Sequence, residues 1–364
     1  MTLDIREHVP LAPFTTFGIG GPARRFLDAP STDIVKAGLE TARANGWPVF
    51  LLGGGSNLLV SDAGIDALVL RVSVTGKGPA GSVDPLLRFP EVPDHPQVRF
   101  IEAGAGENWD DFVTWAVAHE MGGLECLAGI PGTVGGTPVQ NVGAYGQEVS
   151  SIIRQVRALD RTTGAIVRLD NADCGFHYRE SRFNTTDLGR WIVLSVVFAL
   201  PVGGAPNLSY RDVAEAFAGR TTPPPLAEVR NAVRGIRQKK GMLLVDGDPD
   251  CKSAGSFFKN PRMTVAEADR LAGLVPAPLP LFPAGEGFRK VAAARLIEAA
   301  GFPKGHRRGN AAISSKHTLA LTNQGGATAR EVIELAREIR DGVRDRFGVT
   351  LVNEPVLVGF DEPL

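Results

Sequence analysis

The sequence predicts an α+β chain of two or three domains, and three observations carry that reading. Short strands and single amphipathic helices follow one another irregularly as far as Pro223-Pro224-Pro225, and beyond those prolines the pattern turns more helical. The 364 residues are more than one core usually serves. The 43 glycines and 26 prolines require far more turns and close backbone approaches than a helical bundle does.

Taken in order, Ser31 or Thr32 caps a helix that runs to Ala44 and ends at Gly46. Val49-Phe50-Leu51-Leu52 is expected as a buried strand running into Gly53-Gly54-Gly55-Ser56-Asn57. Leu58-Leu59-Val60 and Ala67-Leu68-Val69-Leu70 read as further short strands. Residues 75–96, rich in Gly and Pro and without a period, are expected as a surface insertion. A second unit follows, with a strand over 99–103, a helix over about 110–120 and the stretch 122–146. A hairpin over 156–169 turning at Thr163-Gly164 and a strand over 191–200 complete it. Past the prolines, Leu226, Val229, Val233 and Ile236 mark one face of a helix over 226–239. Thr264-Val265-Ala266-Glu267 and Thr328-Ala329-Arg330-Glu331 are capping-box openings of two more helices. Strands are expected at 319–322 and within 350–358.

Composition excludes several classes. A net charge of −1 gives no field to hold a nucleic-acid backbone, so no nucleic-acid partner is expected. The chain shows no apolar run of bilayer length, and Met1-Thr2-Leu3-Asp4-Ile5-Arg6-Glu7 is no signal segment; a cytoplasmic protein off the membrane is expected. Cys126, Cys174 and Cys251 form no CxxC pair and read as reduced thiols. The six histidines show no ligand spacing, so no metal is expected.

Two glycine-rich stretches carry the chemistry. At Gly53-Gly54-Gly55-Ser56-Asn57, glycines let backbone N–H groups converge on an anion, with Ser56 and Asn57 as added donors. The Lys-Ser/Thr of a P-loop is missing, and a glycine turn with no ligand is the competing reading. Gly18-Ile19-Gly20-Gly21-Pro22-Ala23 matches GxGxxA formally, but no clear strand precedes it and Pro22 occupies the helix start, so a Rossmann domain is not supported. The second stretch runs from Gly129-Ile130-Pro131-Gly132 through Gly135-Gly136-Thr137 to Asn141-Val142-Gly143-Ala144-Tyr145-Gly146. Its backbone suits a flat ring system and a pyrophosphate, although an irregular structural loop would look similar. Together the two stretches point to a dinucleotide site on a non-Rossmann fold.

Other residues remain open on their own. Arg179 could fork onto a substrate carboxylate or make a surface ion pair. Ser256, in Gly255-Ser256-Phe257-Phe258-Lys259-Asn260, has no GxSxG elbow around it and could be an inert loop serine. Glu354 beside apolar strands is either ion-paired or functional. Arg237, Lys239 and Lys240 end a helix, where cations suit the dipole.

In this order the pieces resemble the UDP-N-acetylenolpyruvoylglucosamine reductase (MurB) family, nearly end to end. The matching segments are Thr15-Thr16-Phe17-Gly18, residues 52–58, Gly104-Ala105-Gly106-Glu107-Asn108-Trp109, and residues 129–146, 176–181, 255–261 and 351–359. The resemblance implies a two-part FAD-binding module of the vanillyl-alcohol-oxidase/PCMH type plus a separate α+β substrate-binding domain. The divisions expected are 1–72 and 73–222 for the module, with 351–364 near the active site, and 225–350 for the substrate domain.

It further implies non-covalent FAD held by Gly53, Gly54, Gly55, Ser56, Asn57, Leu58, Ile130, Pro131, Gly132, Gly135, Gly136, Thr137, Asn141, Gly143, Ala144, Tyr145 and Gly146. NADPH is the implied co-substrate, passing hydride to the flavin and on to C3 of the enolpyruvyl group of the UDP-N-acetylglucosamine ether. Arg179 and Glu354 would stabilise negative charge at C2 and the carboxylate, and Ser256 would protonate C2. Tyr178, Lys240, Asn260, His317, Arg237 and Tyr210 are the implied substrate contacts. Tyr210 lies in Leu208-Ser209-Tyr210-Arg211-Asp212, similar to the tyrosine-bearing loop of one family subtype. The insertion 75–96 and the proline-rich stretch 276–283 are longer than the family pattern. A monomer is expected. The alternatives are an oxidase of the same fold with covalent FAD, for which Cys126 is the nearest attachment point, and a non-catalytic UDP-sugar or flavin binder.

Overall fold

The computed structural model describes residues 3–83, 96–276, 278–362 and 364. Most of the expected insertion (84–95), and residue 277 of the proline-rich stretch, lie outside the described residues. The chain forms two compact units. One comprises Met1–Val9, Arg24–Gly54 and Asp66–Gln238, and the other Pro10–Ala23, Gly55–Ile65 and Lys239–Leu364.

In the first unit, helix α1 (Thr32–Ala44) starts where Ser31 Oγ accepts the Ile34 N–H at 3.3 Å. It packs Val35 and Ala42 with Leu27, Leu68 and Leu70 of a four-stranded sheet. That sheet has the order Ile5–Pro10, Pro22–Ala29, Ile65–Val72, Val49–Leu52, the last two strands parallel. Pro22 therefore opens a strand where a Rossmann fingerprint would need a helix.

A five-stranded antiparallel sheet runs Ile166–Asp170, Ile153–Asp160, Trp191–Pro201, Val98–Gly104, Lys77–Pro79. Val156 faces Leu169 in the expected hairpin. Trp191–Pro201 is apolar almost throughout because it serves two cores. Val196, Phe198 and Leu200 join Trp109 and Phe112 of helix α2 (Trp109–Ala118), while Ile192 and Leu194 join the α1 cluster. Inside this sheet Glu102 Oε1 accepts from Arg157 Nη1 and from Ser195 Oγ, both at 2.5 Å. A charge pair so deeply buried persists only with its hydrogen bonds in place.

Helices α3 (Arg211–Ala216) and α4 (Leu226–Lys239) complete the unit. Val229 and Val233 pack on Cys126, Tyr145 and Val213. The division expected at Pro223-Pro224-Pro225 thus falls inside this unit, because the apolar face of α4 is spent on it as far as Gln238.

The second unit holds α5 (Val265–Leu274), α6 (Ala293–Ala299) and α7 (Ala329–Phe347). Capping boxes close the starts of α5 and α7 at Thr264/Glu267 and Thr328/Glu331. Asp62 adds both carboxylate oxygens to the α7 terminus, accepting from Ala329 N at 2.8 Å and Arg330 N at 3.0 Å. Val332, Leu335, Ala336, Ile339 and Val343 form the buried stripe of α7, packed in one cluster with Phe257, Phe258 and Leu296. Burying each larger side chain of that stripe stabilises the unit by about 1.5–3 kcal/mol. Val356–Val358 pairs in parallel with Leu58–Val60 within the second unit. Among the described residues no helix is long and apolar enough to cross a membrane, and no His/Cys/Asp/Glu group is placed to hold a metal.

Candidate active site

Gly53 and Gly54, at the start of the first glycine stretch, meet the distant second stretch within the first unit. A Cβ on Gly54 would lie 2.5 Å from the Gly132 Cα, and one on Gly53 would lie 3.3 Å from Thr133 Oγ1. Only glycine allows the 54/132 approach. At the same point the Thr133 hydroxyl oxygen is buried without a hydrogen-bond partner among the described residues. Leaving such a group unsatisfied costs about 1–3 kcal/mol, which marks a place for a ligand's polar atom.

Helices fasten the start of the longer stretch. Gly129 N donates to Asp110 Oδ1 at 2.6 Å, and Gly129 O accepts from Arg237 Nε at 3.1 Å. Arg234 of α4 also reaches Asp110. Arg237 was expected to touch substrate; here it is buried against Gly129 and Tyr145, and burial lowers its pKa against the opposing pull of Tyr145 and Asp110. Its place is that of a support for the glycine loop. Further along, Asn141 Nδ2 donates to His177 O at 2.9 Å, and the Thr137 hydroxyl turns back on Val134 O at 2.8 Å.

Arg179 sits on a tight turn closed by the His177/Glu180 bridge, with a left-handed φ of 60°. That conformation is uncommon for any residue but glycine and costs about 1–3 kcal/mol. The guanidinium rests on the glycine loop, donating through Nη2 to Gly143 O at 2.5 Å and through Nη1 to Asn141 O at 3.4 Å. Its Cζ lies 5.1 Å over the exposed ring of Tyr178. Tyr210, 41% exposed, meets Tyr145 edge-on with centroids 5.2 Å apart.

Within the second unit a separate constellation forms. Gly55 turns at φ 61° against Phe14 O, and Asn57 follows. Asn57 Nδ2 donates to Glu354 O at 3.2 Å, and Val356 N donates to Asn57 O at 2.9 Å. Glu354 N in turn donates to Phe257 O at 2.8 Å, Phe258 bridges Asn353, and Lys259 N donates to Val352 O at 2.9 Å. This antiparallel pairing brings the half-buried Ser256 and Glu354 onto neighbouring segments, anchored by the fully buried Phe257 and Phe258. Arg179 stands on the first unit and Ser256 and Glu354 on the second.

The remaining expected contacts have local roles. Asn260 Oδ1 accepts from Ala293 N at 3.0 Å and so caps α6, whose own N-cap Ala292 has no side-chain acceptor. His317 Nδ1 accepts from Leu319 N at 3.1 Å, leaving Nε2 as the donor of a neutral ring. Burial first, then Lys240 and Lys304, push its pKa down to about 4. Its turn is held by Asp250, which accepts from Ser315 N at 2.8 Å and Ser315 Oγ at 2.6 Å. Sequence reasoning missed Thr133 and Asp110. Thr133 lies inside the glycine stretch and could have been read as a donor, whereas nothing near Asp110 signals its partner.

The non-Rossmann sheets and the glycine cradle define a flavin-binding protein, and a family model described as an FAD binding domain matches residues 24–170. A second model, the C-terminal domain of UDP-N-acetylenolpyruvoylglucosamine reductase, matches residues 248–358. UDP-N-acetylenolpyruvoylglucosamine reductases of Streptomyces avermitilis and Thermobifida fusca are 46% and 44% identical, over 97% and 99% of this chain and 94% and 99% of theirs. The crystal structure of the enzyme from Thermus caldophilus aligns with a TM-score of 0.62 at 26% identity, covering 98% of this chain and 99% of that one. The chain belongs to the UDP-N-acetylenolpyruvoylglucosamine reductase family. It is an FAD-dependent reductase of peptidoglycan precursor synthesis, with the expected two-part FAD module and separate α+β domain.

Proposed function

We propose that Arg179, Ser256 and Glu354 carry the reduction of the enolpyruvyl ether of UDP-N-acetylglucosamine to UDP-N-acetylmuramate, with NADPH as the hydride source. The observation that supports this reading is the pairing of 352–354 with 257–259, which joins the segments that carry Glu354 and Ser256 next to the buried Phe257 and Phe258.

The cradle at Gly54 and Gly132, with the unsatisfied Thr133 hydroxyl beside it, fits FAD. Bound there, FAD would supply the redox chemistry that links NADPH to C3 of the enolpyruvyl group. Addition at C3 leaves an electron pair at C2, delocalised onto the carboxylate. Arg179 offers a fixed positive fork to that carboxylate. Ser256 gives its proton to C2, completing saturation of the double bond, and Glu354 stabilises the developing charge through a hydrogen bond. Tyr178, Tyr210, Lys240 and His317 serve the UDP-sugar, Lys240 as a point charge for the diphosphate. The enzyme works as a cytoplasmic monomer.

Cys126, the nearest candidate for covalent flavin attachment, is buried with its thiol pushed up to about 12, chiefly by burial and further by Glu125. An unreactive thiol supports non-covalent FAD. The test is anaerobic: NADPH bleaches the flavin, and the enolpyruvyl UDP-sugar then restores its colour. Failure of the colour to return rejects the reading.

A further inference from the structure

We infer that Glu125 and Asn207 are positioning residues that fasten the Tyr210 segment to the glycine loop, so that the substrate-side tyrosine takes its place from cofactor-side backbone. The inference rests on the reading of Tyr210 as a substrate contact.

Glu125 is 1% exposed, and a carboxylate so buried must be met by donors. Three N–H groups from separate stretches meet it. Oε2 accepts from Gly123 N at 2.8 Å, and Oε1 accepts from Gln147 Nε2 at 2.8 Å and Asn207 N at 2.9 Å. Gln147 cannot swing away, because its own oxygen accepts from Cys126 N at 2.8 Å.

Asn207 is engaged through every polar atom it has. Its backbone oxygen accepts from Cys126 Sγ at 3.3 Å, and its Nδ2 donates to Gly146 O at 2.9 Å. Its Oδ1 accepts from Ser209 N at 2.9 Å and Ser209 Oγ at 2.7 Å. Residue 207 is thereby fixed on Gly146, and three residues later Tyr210 meets Tyr145, the neighbour of Gly146. Without this fastening an exposed loop would have to order its tyrosine anew at each binding event, and that entropy would be subtracted from affinity.

Asn207→Asp is the sharpest probe. It keeps the volume and both acceptor bonds from Ser209, and inverts only the bond to Gly146 by setting a carboxylate against a carbonyl. With FAD content and reduction by NADPH unchanged, the Kd of the enolpyruvyl UDP-sugar for the oxidised enzyme, read from the flavin absorbance change without turnover, should rise about tenfold. In a Tyr210→Ala background the same change should add nothing, since it acts through that ring. An unaltered Kd in Asn207→Asp, when Tyr210→Ala weakens binding, overturns the positioning role alone. An unaltered Kd in Tyr210→Ala overturns the substrate reading of Tyr210 and this inference with it. Hydrogen exchange on the wild-type holoenzyme needs no variant. Slow exchange at the Asn207 and Ser209 amides is expected, and exchange as fast as in an open loop overturns the fastening.

Discussion

The side-chain amide of Asn57 donates to the main-chain oxygen of Glu354 at 3.2 Å, and the main-chain oxygen of Asn57 accepts from Val356. The end of the first glycine stretch therefore sets where Glu354 stands. Its neighbour, Leu58, begins the parallel ladder with Val356. Asn57→Ala should lower stability by about 1 kcal/mol and slow reduction of the enolpyruvyl substrate more than reduction of flavin by NADPH. Urea unfolding together with the two half-reactions checks both, and equal slowing of the halves would count against a role for Glu354 in the second.

Ser256→Ala removes the proposed proton donor and leaves the buried Phe257 and Phe258 anchor in place. Flavin reduction by NADPH should proceed normally, and reoxidation by the enolpyruvyl UDP-sugar should slow by about 10²–10⁴-fold, the usual worth of a positioned general acid. Rapid-mixing absorbance under anaerobic conditions separates the two steps. Normal reoxidation would remove Ser256 from the chemistry.

Gly54→Ala should cost the protein its flavin. The added Cβ would sit 2.5 Å from the Gly132 Cα, so one glycine stretch must move off the other. The forced shift should destabilise the fold by about 1–3 kcal/mol. The ratio of flavin to protein absorbance after purification is the measurement, and full occupancy would show that the 54/132 approach does not shape the cradle.

His317 makes stability depend on pH. Its pKa in the folded chain lies near 4, below the 6.5 of a free histidine, because burial and then Lys240 and Lys304 disfavour the charged ring. Between those values the unfolded chain binds a proton that the folded one does not. The contribution is therefore complete above about pH 6.5 and is lost as pH falls toward 4, at up to about 1.4 kcal/mol per pH unit. His317→Gln should flatten this slope in denaturant unfolding measured stepwise across pH 4–7. A slope unchanged by the substitution would assign it to other groups.

Much of the local structure was legible in the order of residues. The Ser31 cap, the boxes at Thr264 and Thr328, the Val156–Leu169 pairing and the apolar face of α4 each depend on residues within a few positions of one another, or on simple periodicity. Ser256, Arg179 and Glu354 are proposed through the family's motifs alone. The bond from Arg237 to Gly129 O was not legible, because a cation at a helix end looks the same whether it faces solvent, a phosphate or a carbonyl of another segment. The placement of α4 was obscured by the three prolines. They break the chain locally, but the helix after them buries Val229 and Val233 on Cys126 and Tyr145.

By itself, then, the sequence determined the helix ends, the strand alternation and the two glycine-rich stretches, since short-range sterics and hydrogen bonding decide these residue by residue. Only the tertiary structure decided that Gly54 lies on Gly132, that Arg157 meets Glu102, that Asn57 holds Glu354 and that Glu125 gathers Asn207 and Gln147. Each of those contacts joins residues far apart along the chain. Its free energy exists only once the intervening segments have closed, and no local pattern encodes which distant partner will be there when they do.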